Sequence, residues 1–388
     1  MALDVTNSEE DGIIISATVD QLLENLPVGS ISRAIGNNLY GLNMRGTLPA
    51  LPRNKDMYGY TFFTRPQLNL HEYNVNNYRG FYNLLTDNAL SYQRYVRMIL
   101  DPRLGADGAI TCPFVDNQNA FIPILTNTIT SLSGWPDLTV PTYTSDAGLY
   151  GQEISFVDGV TNHYESFDLD ISFRNIRGNP LIYLFYIWIK YESLVFEGIL
   201  NPYSDMIVEN EIDYNTRIYR LVMDNTKRYV RFIACTGASF PINVPSGSLF
   251  DYNIDTPYND QNKEINIRFR CLGFRAFEDI IKLEFNEAVG IFNPAMKSLV
   301  EHDLDINTPD SAKARDNDNL IYNAPGSSYV KIPYALSMIV NESLDDNKYY
   351  NLNYRAYPYI NLMTSELEWW IDSTYFDAKG PNIEDFGD

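Results

Sequence analysis

The sequence predicts a mainly β protein with one buried helix and an extension at each end. Three observations predict it. Phe167, Leu169, Ile171 and Phe173 alternate with Asp168, Asp170, Ser172 and Arg174, the period of a strand with one dry and one wet face. Ile265, Ile267, Phe269 and Cys271 alternate in the same way with Asn266, Arg268 and Arg270. Between these, the apolar-rich runs Arg217 to Met223 and Arg228 to Cys235 flank Asp224, Asn225, Thr226 and Lys227, a short polar turn that predicts a hairpin.

Taken in order, residues 1–57 read as an arm. Thr18 to Gln21 forms a capping box ahead of Leu22, Leu23 and Leu26, and Pro27 stops the run, which predicts a helix of about eight residues. Glycines and prolines then scatter from Gly29 to Pro52, leaving too little periodic apolar surface to fold alone. A β core spans 58–295. It opens with a strand over 58–64, followed by a helical insertion near 77–100. There Ala89, Tyr92, Val96 and Ile99 share one face, and Asp101-Pro102 ends the run. Residues 120–290 read as mostly β. The exception is a helix with Asn179 as N-cap, Pro180 at its first position and Gly198 just past its end. Its body, Leu181 to Glu197, is apolar on most faces and is expected to be buried against the sheet. Residues 296–388 read as an acidic extension, with 16 acidic and 7 basic residues, net −9. Asp303 to Asn319 reads as loop, and Tyr329 to Ile332 and Tyr349 to Tyr359 as strands.

Composition sets limits. The 388 residues carry 29 Lys+Arg and 50 Asp+Glu, a formal charge of −21, with 45% hydrophobic and 14% aromatic residues. This is a folding composition, unlike that of a disordered acidic tail. Its charge disfavours wrapping nucleic acid or binding anionic lipid, since both need clustered Lys and Arg. The N-terminus has no signal-peptide pattern, and the longest apolar run, Leu181 to Ile189, is far shorter than a bilayer span. Membrane insertion is therefore not expected. Cys112, Cys235 and Cys271 are odd in number and widely spaced, as expected of reduced buried thiols in a protein made in a cytoplasm.

No catalytic, cofactor or metal constellation stands out. His71, His163 and His302 lie in no triad or zinc spacing, and no phosphate-binding glycine loop is present. Asp168 and Asp170 form a DxD pair, but on the polar face of a strand, where a solvated face is the simpler reading. Asp303 to Asn307 opens like a calcium loop, then departs from it with Thr308, Pro309 and Ala314. Glu209, Glu211 and Asp213 read as an acidic rim. No enzyme activity and no cofactor are expected.

Over roughly 125–290 the order of pieces is specific. The turn Ser133-Gly134-Trp135-Pro136-Asp137 leads to Gly148, Gly151 and Gly159, then to the strand Phe167 to Phe173. Next come the helix carrying Trp188, the hairpin, a Gly237-to-Phe240-Pro241 turn and the strand Ile265 to Cys271. This order resembles the tail tube proteins of contractile-tailed bacteriophages. The resemblance implies a β-sandwich or barrel with one flanking helix, subunits that form six-membered rings, and stacked rings around a channel for DNA. It implies a virion tail protein whose partners are copies of itself, with tail sheath, baseplate or neck proteins beside it. DNA would be a passing cargo, repelled by an acidic wall. Trp135, Trp188, Phe240 and Pro241 are the structural or interface candidates, and Asp168 and Asp170 the lumen-facing candidates. Two alternatives remain open: a tube-like baseplate, neck or capsid-associated protein, and a carbohydrate-binding or carbohydrate-active β protein.

Overall fold

The computed structural model describes residues 58–106, 110–113, 115–159, 165–224, 226–247, 250, 264–296, 329–332, 338–340, 350–352, 356–362 and 364–372. The chain divides into two compact units, Met1–Asp56 and Met57–Asp388, and all described residues belong to the second. The expected helix after Thr18, the loop from Asp303 to Asn319, His163 and His302 lie outside the described residues.

The fold is mainly β. Six antiparallel strands form one sheet: β1 (Tyr58–Phe63), β2 (Ile129–Ser133), β5 (Ser166–Arg174), β6 (Ile218–Met223), β7 (Val230–Pro241) and β8 (Glu264–Ala276). Their spatial order is β1-β6-β7-β8-β5-β2. A separate two-stranded hairpin, β3 (Thr142–Thr144) and β4 (Ser155–Val157), is inserted between β2 and β5. Register places one set of side chains on a common face. Phe62 lies opposite Tyr219, Tyr219 opposite Cys235, and Cys235 opposite Arg275.

Helices cover that face. The helix α1 (Tyr92–Leu100) starts at Ser91, whose hydroxyl accepts from the Gln93 amide. Ala89 precedes it in a turn, so the helical insertion is shorter than expected and follows a 3-10 segment, Arg79–Leu85. Buried Arg65 ties the end of α1 to the following loop by donating to the carbonyls of Ile99 and Asn119 at 3.0 and 3.3 Å. The helix α2 (Pro180–Phe196) is the one the sequence announces. Asn179 does not cap it with its side chain. It sits at φ 53°, a left-handed conformation that asparagine tolerates, and its Oδ1 accepts from Asn175 Nδ2 at 2.7 Å. At the other end Gly198 has φ 73°. The amides of Gly198 and Ile199 return to the carbonyls of Val195 and Leu194, a Schellman stop.

α2 lays Leu181, Leu184, Phe185, Trp188 and Tyr191 over β5 and β8, with Phe185 5.6 Å from Phe173 and 5.9 Å from Phe269 between ring centroids. Burying each such side chain stabilises by roughly 1.5–3 kcal/mol. Two further helices, α3 (Ser204–Glu209) and α4 (Ile280–Phe292), follow. The second was not legible in the sequence. It covers β1, β6 and β7, where Phe285 meets Phe62 at 5.4 Å and Tyr219 at 5.3 Å.

Beyond α4 come β9 (Tyr329–Ile332), a short pair β10 (Met338–Val340) and β11 (Tyr350–Leu352), β12 (Tyr357–Ile360) and β13 (Leu367–Asp372). β12, β13 and β9 form a three-stranded sheet. Its Tyr357, Tyr359, Trp369 and Trp370 join the buried cluster of Phe62, Tyr219 and Phe285. The side chain of Asn286 completes the β12 edge, donating to the Ile360 carbonyl at 2.7 Å and accepting its amide at 2.8 Å. The run Tyr349 to Tyr359 is thus two short strands, and Leu367–Asp372 is a strand without the alternation that would have announced it.

The segment Gly237 to Pro241, expected as a turn, is the extended second half of β7, with Phe240 opposite Arg270 and Pro241 opposite Phe269. Gly237 is needed there because a Cβ would stand 2.8 Å from the Leu272 carbonyl oxygen. The Gly134 turn does need a glycine conformation: φ is 105°, and a Cβ would meet the Asp168 carbonyl oxygen at 2.3 Å.

Candidate assembly surfaces

The other face of the six-stranded sheet carries no helix. Asp168 lies directly opposite Arg270, and Asp170 opposite Arg268. The register turns these into ion pairs of 2.9 and 2.8 Å, both well exposed. Arg270 also donates to Ser166 Oγ at 2.8 Å, and Ser172 Oγ bonds Asn266 at 2.7 Å. Asp170 holds the Arg268 guanidinium above its ordinary pKa. The DxD pair is therefore one side of a charge ladder, and among the described residues no group of acids, histidines and cysteines is placed to hold a metal.

Further along the same face is an open groove of about 700 Å³. Gly59 and Thr61 of β1 and Ile129 to Leu132 of β2 line it together, although these strands are opposite edges of the sheet. The sheet therefore curls into a half-barrel around the groove. Trp135, Phe232 and Phe274 supply aromatic walls, with Trp135 5.5 Å from Phe274.

The β3–β4 hairpin exposes a cluster of apolar side chains. Tyr143 and Phe156 face each other at 5.1 Å and remain about half exposed, and Leu149 and Tyr150 at the tip are 93% and 89% exposed. Ile154 and Val157 add to it. A two-stranded hairpin is marginal alone, and such a cluster of exposed apolar side chains marks a surface made to be covered.

The sequence candidates separate by depth. Trp188 is fully buried, its indole N–H donating to the Tyr214 carbonyl at 2.9 Å, and Pro241 is buried at the end of β7. Phe240 and Trp135 are half-buried, Phe240 edge-on to Tyr214 at 5.7 Å. Asp168 and Asp170 sit on the helix-free face, and register puts Phe240 in the same cross-strand row as Asp168, on the other side of Arg270. Sequence reading missed Arg268 and Arg270 as their partners, because the pairing spans about a hundred residues of chain.

Buried acids were missed as well. Asp213, expected on a rim with Glu209 and Glu211, is buried and accepts from Tyr191 Oη at 2.5 Å, while both glutamates are exposed. Its pKa is raised by burial. Asp101 accepts from the Leu70 amide and Tyr203 Oη, both at 2.8 Å, and burial pushes it up to about 6. Glu192 is pushed up to about 9 by burial and the nearby Asp213, and its Oε1 is buried with no hydrogen-bond partner. Asp101 and Asp213 are engaged by tyrosines and backbone amides, the work of structural acids. The three cysteines are buried and unpaired. His71 is exposed beside Tyr73. No helix among the described residues is long and apolar enough to cross a membrane.

The model of a family described as "Putative phage tail tube protein" matches residues 6–315, a wider span than the 125–290 of the sequence resemblance. No curated protein matches the chain. Solved structures similar over part of it include three from tube or tube-terminating assemblies. The tube-terminating cap of the anti-feeding prophage is 15% identical, covering 40% of this chain and 81% of that one, with a TM-score of 0.25. The sheath/tube terminator of an extracellular contractile injection system in its extended state is 12% identical over 41% and 86%, TM-score 0.22. The sheath–tube complex of such a system is 12% identical over 44% and 96%, TM-score 0.23. Likeness this low decides nothing about function.

Proposed function

Because the chain belongs to the phage tail tube protein family, we propose that it is a non-enzymatic virion protein whose copies form rings, and whose stacked rings enclose a channel for DNA. It is made in the host cytoplasm and works in the tail, where sheath, baseplate or neck proteins are its neighbours. The observation that carries this reading is the β3–β4 hairpin, inserted between β2 and β5 with its apolar side chains exposed. An exposed apolar hairpin is a liability in a monomer and a joint in an assembly. The 1–57 arm and the 296–388 extension are proposed as contacts between rings or with neighbours.

The test is assembly. Concentrated protein viewed by negative-stain microscopy should form rings or tubes. Phe156→Asp together with Tyr143→Asp should abolish them while leaving the thermal melt of the core unchanged, since neither side chain belongs to a buried cluster. A native chain that stays monomeric at every concentration would overturn the reading. Normal assembly by the double variant would remove the hairpin from it.

A further inference from the structure

We propose that Asp168 and Asp170 are built-in neutralisers of Arg268 and Arg270, so that this stripe of the helix-free face meets water and a passing polyanion without holding phosphate. The inference deepens the tube reading and rests on it for the identity of the polyanion as duplex DNA.

Four features carry it. The pairing is fixed by strand register, with each aspartate directly opposite its arginine, so the ion pairs do not depend on a chance meeting of long side chains. Three successive pairs are polar: Asp168, Asp170 and Ser172 on β5 lie opposite Arg270, Arg268 and Asn266 on β8, and the stripe ends where Ser166 lies opposite the exposed Leu272. Interface centres are depleted of charge, and these four side chains are charged and well exposed, so the ladder suits a wetted wall better than the centre of a joint between subunits. Finally, the four charges sum to zero. The sequence suggested an acidic wall that repels DNA. The ladder does something different: each guanidinium already donates one N–H to a carboxylate, so a phosphate would have to compete with a charge-assisted bond fixed by register. In a ring the same stripe would recur in every copy with no net charge.

The test is to unmask the arginines. Native protein and Asp168→Asn/Asp170→Asn are titrated into a short fluorescent DNA duplex and followed by anisotropy at several salt concentrations. Native protein should give no measurable binding. The double variant should bind, with two phosphate contacts giving a log–log salt slope of about −1.8, so that affinity falls roughly tenfold between about 50 and 200 mM salt. Adding Arg268→Gln and Arg270→Gln to the double variant should abolish binding again. Glu209→Gln/Glu211→Gln makes the same change in net charge on exposed residues elsewhere and should stay silent. Should the double variant fail to fold, Asp170→Asn alone should bind with about half that slope. A double variant that binds no better than native protein, or a control that binds equally well, overturns the proposal. Microscopy of the same samples separates the two readings. Rings without any gain in DNA binding would sink the ladder and leave the tube, whereas a gain in DNA binding without rings would leave the ladder and sink the tube.

Discussion

The two faces of the six-stranded sheet come from the same strands, one residue apart. On β5 and β8 the odd-numbered residues Leu169, Ile171, Ile267 and Phe269 are buried, and the even-numbered Asp170, Arg268 and Arg270 are exposed. The first face is closed within the chain by α2, α4 and the C-terminal strands; the second is left to whatever lies outside it. On the proposed reading, the difference separates folding from assembly. Substitutions on the covered face should be read in stability, and those on the helix-free face in association, with stability nearly untouched.

The largest expected effect lies on the covered face. Trp188 is wholly buried, lies 6.4 Å from Phe269 and satisfies its indole N–H on Tyr214. Trp188→Ala should cost about 3–5 kcal/mol by denaturant unfolding, because neighbours that are themselves fully packed cannot collapse into the space. A loss below about 1 kcal/mol would mean that α2 is not clamped to the sheet and would break the comparison.

A smaller effect sharpens it. Glu192 lies on the covering helix itself, and its folded pKa of about 9 is far above the unfolded carboxylate value. The unfolded chain ionises this group near pH 4.5, while the folded one must keep the proton. Stability is therefore lost as pH rises from about 4.5 toward 9. Glu192→Gln removes that loss. The variant should melt like the native chain near pH 4 and be more stable by about 1–3 kcal/mol at pH 8. A difference that is constant across this range would place the carboxyl in water.

How much of the molecule was legible in the sequence is explained by the same contrast. β5 and β8 were readable because one face is wet, so their alternation survives, and α2 was readable from Pro180 and Gly198. α4 was not, since its buried stripe of Ile281, Phe285 and Val289 is blurred by Ile280 and Ile291, which are exposed. β13 buries Leu367 through Ile371, Glu368 included, so no period of two remains. Glu368 is tolerated there because Lys331, Asn361 and Trp370 all donate to it. Gly237 and Pro241 read as turn punctuation, yet one serves close strand approach and the other simply ends a strand. The ladder was half visible: the aspartates stood out as a motif, but their partners depend on register between distant strands.

The smallest expected effect is on the helix-free face, and it is the most discriminating. Arg270→Gln removes an ion pair whose side chains are 44% and 36% exposed. In water such a pair gains little Coulomb energy and loses side-chain entropy, so the change in stability should be about 0–1 kcal/mol. A double-mutant cycle with Asp168→Asn isolates the pair itself and should give a coupling at the low end of that range, shrinking further as salt screens it. A coupling of about 3 kcal/mol or more, insensitive to salt, is the signature of a pair removed from water. Measured on the unassembled chain, it would show that something within the chain covers this face, and the division between a folding face and an assembly face would fail.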